Sequence, residues 1–235
     1  QIFLINQDNR LISINTKDGS AIWDIRSITS FIKSQNFLSL ALSKKGNVIS
    51  SNSAGDLIKV NSVNGDILWH TNTLKTMLTD AADFFKSSDI VINDSSIIFS
   101  TKTSIFSFNL NNGYINWEKD VSSVATPIID EENIFIITEN GYFVIMDLNT
   151  GTINSSTNIL KVLKKKQRLT KIAGFILASG KIYAVTENGY LIICSASLGK
   201  VENFKKIGKS ITSSPIVSNG KLFIYTEDSK ILGYN

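Results

Sequence analysis

The chain has 235 residues, 43% of them hydrophobic, with a formal net charge of +4 and a pI near 9.0. It can bury a sizeable core, and its lysines are mostly scattered rather than clustered with aromatics, which argues against a nucleic-acid binder. A single cysteine, Cys194, excludes an intramolecular disulfide, and no apolar stretch approaches the ~20 residues of a membrane span.

In chain order, residues 2–6 and 11–15 read as two strands joined at Asp8-Asn9, and residues 21–25 follow a turn that closes at Gly19. Residues 26–37 form a long connection carrying Ile28, Phe31 and Ile32. The next four strands, at 38–42, 48–51, 57–61 and 66–71, turn at Ala54-Gly55 and Asn64-Gly65. A second long connection, residues 72–88, carries Leu74, Met77 and Leu78, and a third group of strands spans 89–120, with Gly113 in its last turn. Pro127 and Pro215, the chain's only prolines, open the fourth and sixth groups at equivalent positions and are expected as first strand residues, where no ladder bond is lost.

The repeating unit is clearest at residues 133–156, NIFIITENGYFVIMDLNTGTINSS. Two apolar runs flank Asn140-Gly141, the sequence signal of a two-residue type I′ hairpin, and a third run follows Gly151. Residues 181–199 repeat it almost letter for letter, through Asn188-Gly189 to Gly199. The second glycine falls at Gly19, Gly65, Gly113, Gly151 and Gly199, in steps of 46, 48, 38 and 48 residues. Such a period, with four strands in each, predicts an all-β fold, a β-propeller of four-stranded antiparallel blades. Six units are present; the first lacks an inner strand and the last an outer one. The expectation is one propeller domain over residues 1–235 that belongs to a larger ring, its amino-terminal part lying outside this chain.

A tryptophan follows the turn glycine by four residues in three repeats, Gly19/Trp23, Gly65/Trp69 and Gly113/Trp117, and Ser155 and Asn203 occupy the position in the next two. An indole buries on the order of 200 Å² and needs a partner for its N–H, so these residues are read as docking one blade on its neighbour. Asn15, Asn61, Asn109 and Asp147, four residues before the glycine, are read as bonding the turn backbone.

This combination, apolar-x-Asn/Asp-x-x-x-Gly-x-x-x-Trp, resembles the tryptophan-docking motif of the pyrroloquinoline quinone-type propeller repeats. The departures are the two missing tryptophans, and Ser13, Lys59 and Ser107 where the motif prefers alanine. One branch of that superfamily is the quinone-dependent dehydrogenases, which use calcium and, in many members, a disulfide between adjacent cysteines. The other is the BamB family of outer-membrane assembly lipoproteins, whose carboxyl terminus the ending SSPIVSNGKLFIYTEDSKILGYN is similar to. The BamB resemblance implies an eight-bladed ring and a non-enzymatic scaffold in the periplasm, without catalytic residues, cofactor or metal. Its implied partners are the core subunit of the β-barrel assembly machine and unfolded outer-membrane clients, and its membrane attachment is a lipid anchor outside this chain. A dehydrogenase fragment and an interaction module of another pathway are the alternatives. The single histidine, His70, is read as a surface residue.

Turns alternate between the two ends of a four-stranded blade, so the first hairpin turns share a face with the long connections. Rigidly held loops are where binding resides. The candidate partner-binding residues are Ile28, Phe31 and Ile32; Leu74, Met77 and Leu78; Leu160, Val162 and Leu163; and the charge cluster Lys164, Lys165, Lys166 and Arg168. The apolar members either form an exposed patch or fold down over the blades. The cluster is a candidate for steering an acidic partner or an anionic lipid surface.

Overall fold

The computed structural model describes residues 1–26, 38–53, 55–73, 87–123, 125–208 and 210–234. Among these, antiparallel strands form six sheets, and the helical segments are two short 3₁₀ turns, Ile159–Val162 and Lys165–Gln167. The chain divides into two compact units, Gln1–Pro127 and Ile128–Asn235, each with three sheets.

In the first unit, β1 (Ile2–Ile5), β2 (Leu11–Ile14) and β3 (Ala21–Ile25) make a three-stranded meander. Four-stranded meanders follow: β4 (Leu40–Leu42), β5 (Val48–Ser51), β6 (Asp56–Val60) and β7 (Ile67–Asn72), then β8 (Val91–Ile92), β9 (Ser96–Ser100), β10 (Ile105–Asn109) and β11 (Ile115–Lys119). The middle strands are buried on both faces, as continuous apolar runs such as Ile97-Ile98-Phe99 require. Leu11, Trp23, Val48 and Val60 fill the space between the first two sheets. Ile49, Leu57, Ile97 and three mutually stacked phenylalanines, Phe99, Phe106 and Phe108, fill the space between the second and third.

The second unit repeats the scheme with β12 (Ile128–Asp130), β13 (Asn133–Ile137), β14 (Tyr142–Asp147) and β15 (Ile153–Asn158), then β16 (Ile172–Ala178), β17 (Lys181–Thr186), β18 (Tyr190–Ser195) and β19 (Val201–Lys206). It ends with β20 (Ile216–Ser218), β21 (Lys221–Tyr225) and β22 (Ile231–Tyr234). Val185, Leu191, Ile211, Leu222 and Ile224 form the core between its last two sheets. Pro127 and Pro215 stand one residue before their strands rather than on the first residue, because each ladder starts with the next residue, which has an N–H to give.

The first hairpins differ in type from the expected type I′. At Thr138–Tyr142 only Gly141 has positive φ, Gly141 N–H donates to Thr138 O at 2.9 Å, and Thr138 N–H donates to Tyr142 O at 2.9 Å. This is a type I turn closed by one left-handed residue, the three-residue loop that also matches strand twist. The same pattern closes at Asn9, Gly55, Gly189 and Ser229. In all five the residue that opens the turn, Asn6, Asn52, Thr138, Thr186 or Thr226, also accepts a backbone N–H through its side chain. Asn-Gly is therefore one solution among several here, since only the last position needs a residue tolerant of positive φ.

Candidate functional site

The glycine turns and the tryptophans act together. Trp23 on β3 lies flat on Gly65 of the next sheet: a methyl group on Gly65 would sit 2.9 Å from Trp23 Cγ, and the indole N–H donates to Ser62 O at 2.9 Å. Trp69 repeats this on Gly113, with its N–H donating to Leu110 O at 3.2 Å. The expected side-chain caps are present, with Asn15, Asn61, Asn109 and Asp147 each accepting a backbone N–H two residues ahead. Hydrogen bonds from Thr150 hold the Asp147 carboxyl below the usual carboxylate range.

A β-bulge on the fourth strand aims the indole. In five sheets the register shifts at the same place, after Ser13, Lys59, Ser107, Ile145 and Ile193. The extra residue sits just before the tryptophan position and increases the local twist. The residues before each shift lie directly opposite Trp23, Trp69, Trp117, Ser155 and Asn203. Where the indole is absent, the facing residue has become isoleucine. A methyl group on Gly199 would sit 2.2 Å from Ser155 Oγ and 3.3 Å from Ile145 Cδ1, so serine and isoleucine together occupy the space over that glycine. Sequence reasoning missed Ile145, whose place opposite Ser155 is defined only by the strand pairing.

Of the candidate partner-binding residues, Ile28, Phe31, Ile32, Leu74, Met77 and Leu78 lie outside the described residues. The third connection is fully described. Ile159 N–H donates to Gly141 O at 2.9 Å, and Leu160 and Leu163 are turned inward, 5% and 2% exposed, with Leu160 packed against Gly141. These two leucines are therefore covered rather than part of an exposed patch, Leu160 by the β13–β14 hairpin, because burial is the cheaper place for their surface; Val162 is half-buried. Lys164, Lys165 and Lys166 are exposed and make no ion pair among the described residues. Arg168 is different: its guanidinium donates to Leu163 O at 2.9 Å and Lys161 O at 2.8 Å, closing the loop on itself. Asn188, on the β17–β18 hairpin, donates to Gln167 O at 3.0 Å and ties the loop's far end down.

His70 is exposed, as expected, but its ring is bonded. Its Nε2 lies 2.9 Å from Asp56 Oδ1, and Asp56, 2% exposed, also accepts from Asn72 Nδ2 at 2.8 Å and Asn52 Nδ2 at 2.9 Å. This polar cluster lines a cleft between the first two sheets with Asn9, Ser50 and Arg26. The carboxylate is held by three nitrogen groups, an arrangement that satisfies a buried charge. Cys194 is buried and its thiol is pushed up to about 12 by burial.

Comparison with solved structures places this architecture. BamB from Moraxella catarrhalis superposes with a TM-score of 0.73 at 15% identity, over 99% of this chain and 69% of that one. The quinohemoprotein alcohol dehydrogenase from Comamonas testosteroni superposes at 0.67 and 13% identity, over 99% of this chain and 44% of that one. At these identities the likeness speaks for the fold, the β-propeller with its sheets as blades. A curated relative, outer membrane protein assembly factor BamB of Nitrosomonas eutropha, is 25% identical over 139 residues, 56% of this chain. The chain thus matches only 33% of that relative's length. The family model described as outer membrane protein assembly factor BamB matches residues 1–157, two-thirds of the chain, including all three tryptophans and both glycine docks. With the quinone-type repeat established and its docking residues in place, the chain belongs to the BamB family.

Proposed function

We propose that this chain is a non-enzymatic docking scaffold of outer-membrane β-barrel protein assembly, working in the periplasm at the outer membrane. Its partner in this reading is the core subunit of the assembly machine, and its task is to aid insertion of unfolded clients. The observation that carries the reading is the match of the BamB family model to residues 1–157. The chemistry of the reactive side chains supports it. Two of the three indoles are committed to glycine docks, His70 is bonded to a carboxylate held by two amides, and the Cys194 thiol is raised far from the nucleophilic range.

The test is capture of the purified chain by the immobilised periplasmic domains of the core subunit, run beside a thermal-shift assay with pyrroloquinoline quinone and calcium. Saturable capture with no quinone-dependent rise in melting temperature is the expected result. A rise without capture would move the chain to the dehydrogenase branch, since a ligand that binds only the folded state stabilises it by mass action. Absence of both would assign the propeller to another pathway.

A further inference from the structure

We infer that the loop spanning residues 159–171 is a membrane-surface contact, recognising an anionic lipid bilayer through its lysines and one inserted leucine. The loop carries Lys161, Lys164, Lys165, Lys166, Arg168 and Lys171 and no acidic residue. The two hairpins that hold it contribute Glu139 and Glu187, both exposed, so the loop sets six positive charges against two negative ones on its own supports; the next hairpin adds Glu227 and Asp228, the latter paired with Lys230. Among these charges, next to Arg168 in the chain, is Leu169, 91% exposed, the most exposed large apolar residue among those described.

The loop is built rather than loose. Leu160 and Leu163 are its buried feet, Arg168 bonds two of its carbonyls, Gln167 N–H donates to Lys164 O at 2.7 Å, and Asn188 and Gly141 fasten its two ends. A preorganised loop has already lost the conformational freedom that binding would otherwise remove. Its exposed leucine therefore needs an explanation other than slack in the chain.

Two features favour a bilayer over an acidic protein. Carboxylates on a protein are recognised best by the planar fork of arginine, and the loop's one arginine has its fork occupied by Leu163 O and Lys161 O. What remains free are lysines, point charges suited to a diffuse negative surface, each worth roughly fivefold in binding near anionic lipid. A lone exposed leucine among lysines matches the pattern of an interfacial anchor, with the apolar side chain entering the acyl boundary while ammonium groups stay at the headgroups. This reading is independent of the docking on the core subunit and adds a second membrane contact to the lipid anchor that family resemblance implies.

Cosedimentation of the chain with phosphatidylglycerol–phosphatidylcholine vesicles and with pure phosphatidylcholine vesicles tests it. Expected are binding to the anionic vesicles alone, loss of that binding at high salt, and a drop of about a hundredfold in the triple variant K164Q/K165Q/K166Q. Leu169→Ser should weaken binding several-fold, and Leu169→Trp should give a blue-shifted emission on anionic vesicles. All these positions are exposed, so unchanged thermal unfolding of the variants verifies the fold. Equal binding to both vesicles, no binding, or an unchanged triple variant would overturn the proposal. So would polyglutamate bound as tightly as vesicles with no effect of Leu169→Ser, which would make the loop an acidic-peptide site.

Discussion

Ser13, Lys59 and Ser107 occupy one position in three successive sheets, facing the docking tryptophan, and each meets its surroundings differently. Ser13 Oγ is buried and has no hydrogen-bond partner among the described residues, whereas Ser107 Oγ accepts from Asn116 Nδ2 at 3.0 Å. Ser13→Ala should therefore stabilise the protein by about 1 kcal/mol, and Ser107→Ala should cost about 1 kcal/mol, read as opposite shifts of the denaturant midpoint. Lys59 brings an ammonium group into the same place, 7% exposed, donating to Leu110 O at 2.9 Å. Burial, and then nearby Lys45, pushes its pKa below the usual 10.5. Between that lowered value and 10.5 the unfolded chain holds a proton that the folded chain has released, so this residue's contribution to stability rises with pH there; at neutral pH its burial penalty is undiminished. Lys59→Met should raise the unfolding midpoint at neutral pH by about 1 kcal/mol, because Trp69 still donates to Leu110 O, and the gain should shrink as pH climbs toward 10.5. A gain that is constant with pH would contradict the assignment.

Between sheets, the docking glycines separate two costs that usually come together. Gly19 and Gly65 both have positive φ, +74° and +82°, but a side chain on Gly19 would meet nothing within 4 Å, while one on Gly65 would strike Trp23. Gly19→Ala should cost about 1 kcal/mol of backbone strain. Gly65→Ala should cost about 1–3 kcal/mol more for overpacking, and the difference between the two midpoints measures the dock itself. On Gly199 the exchange of indole for Ser155 plus Ile145 makes a second prediction. Ser155→Trp alone should destabilise by about 1–3 kcal/mol, and adding Ile145→Ser should recover part of that loss, a positive coupling in a double-mutant cycle. Independent effects would mean that the two side chains do not share one space. The glycine spacing and the alternating runs made the sheets and their order legible, since both follow from local turn chemistry and period. The bulge and the Ile145 exchange were not legible, because they depend on which residue faces which across a register that only pairing defines. The sequence left open whether the loop leucines fold down or stay exposed for the same kind of reason: Leu160, Leu163 and Leu169 look alike in sequence, and only the packing beneath decides that the first two are covered and the third is not.

For the molecule as a whole, we propose that residues 1–235 unfold as one cooperative propeller domain although the chain divides into two compact units. Gly65→Ala in one unit and Ile145→Ala in the other should then lower the same calorimetric transition. Two transitions, each moved by one variant only, would give two domains. At this scale the period gave the architecture directly, while the identity of a partner left no mark that a single sequence displays. Each of these glycine turns is meanwhile a socket, filled by an indole at Gly65 and Gly113 and by a serine–isoleucine pair at Gly199. A socket indifferent to the plug's chemistry can have its contents rewritten one blade at a time without disturbing the others. Ancestry in such chains is better traced by the hollow than by what fills it, and a census of tryptophans will undercount their blades.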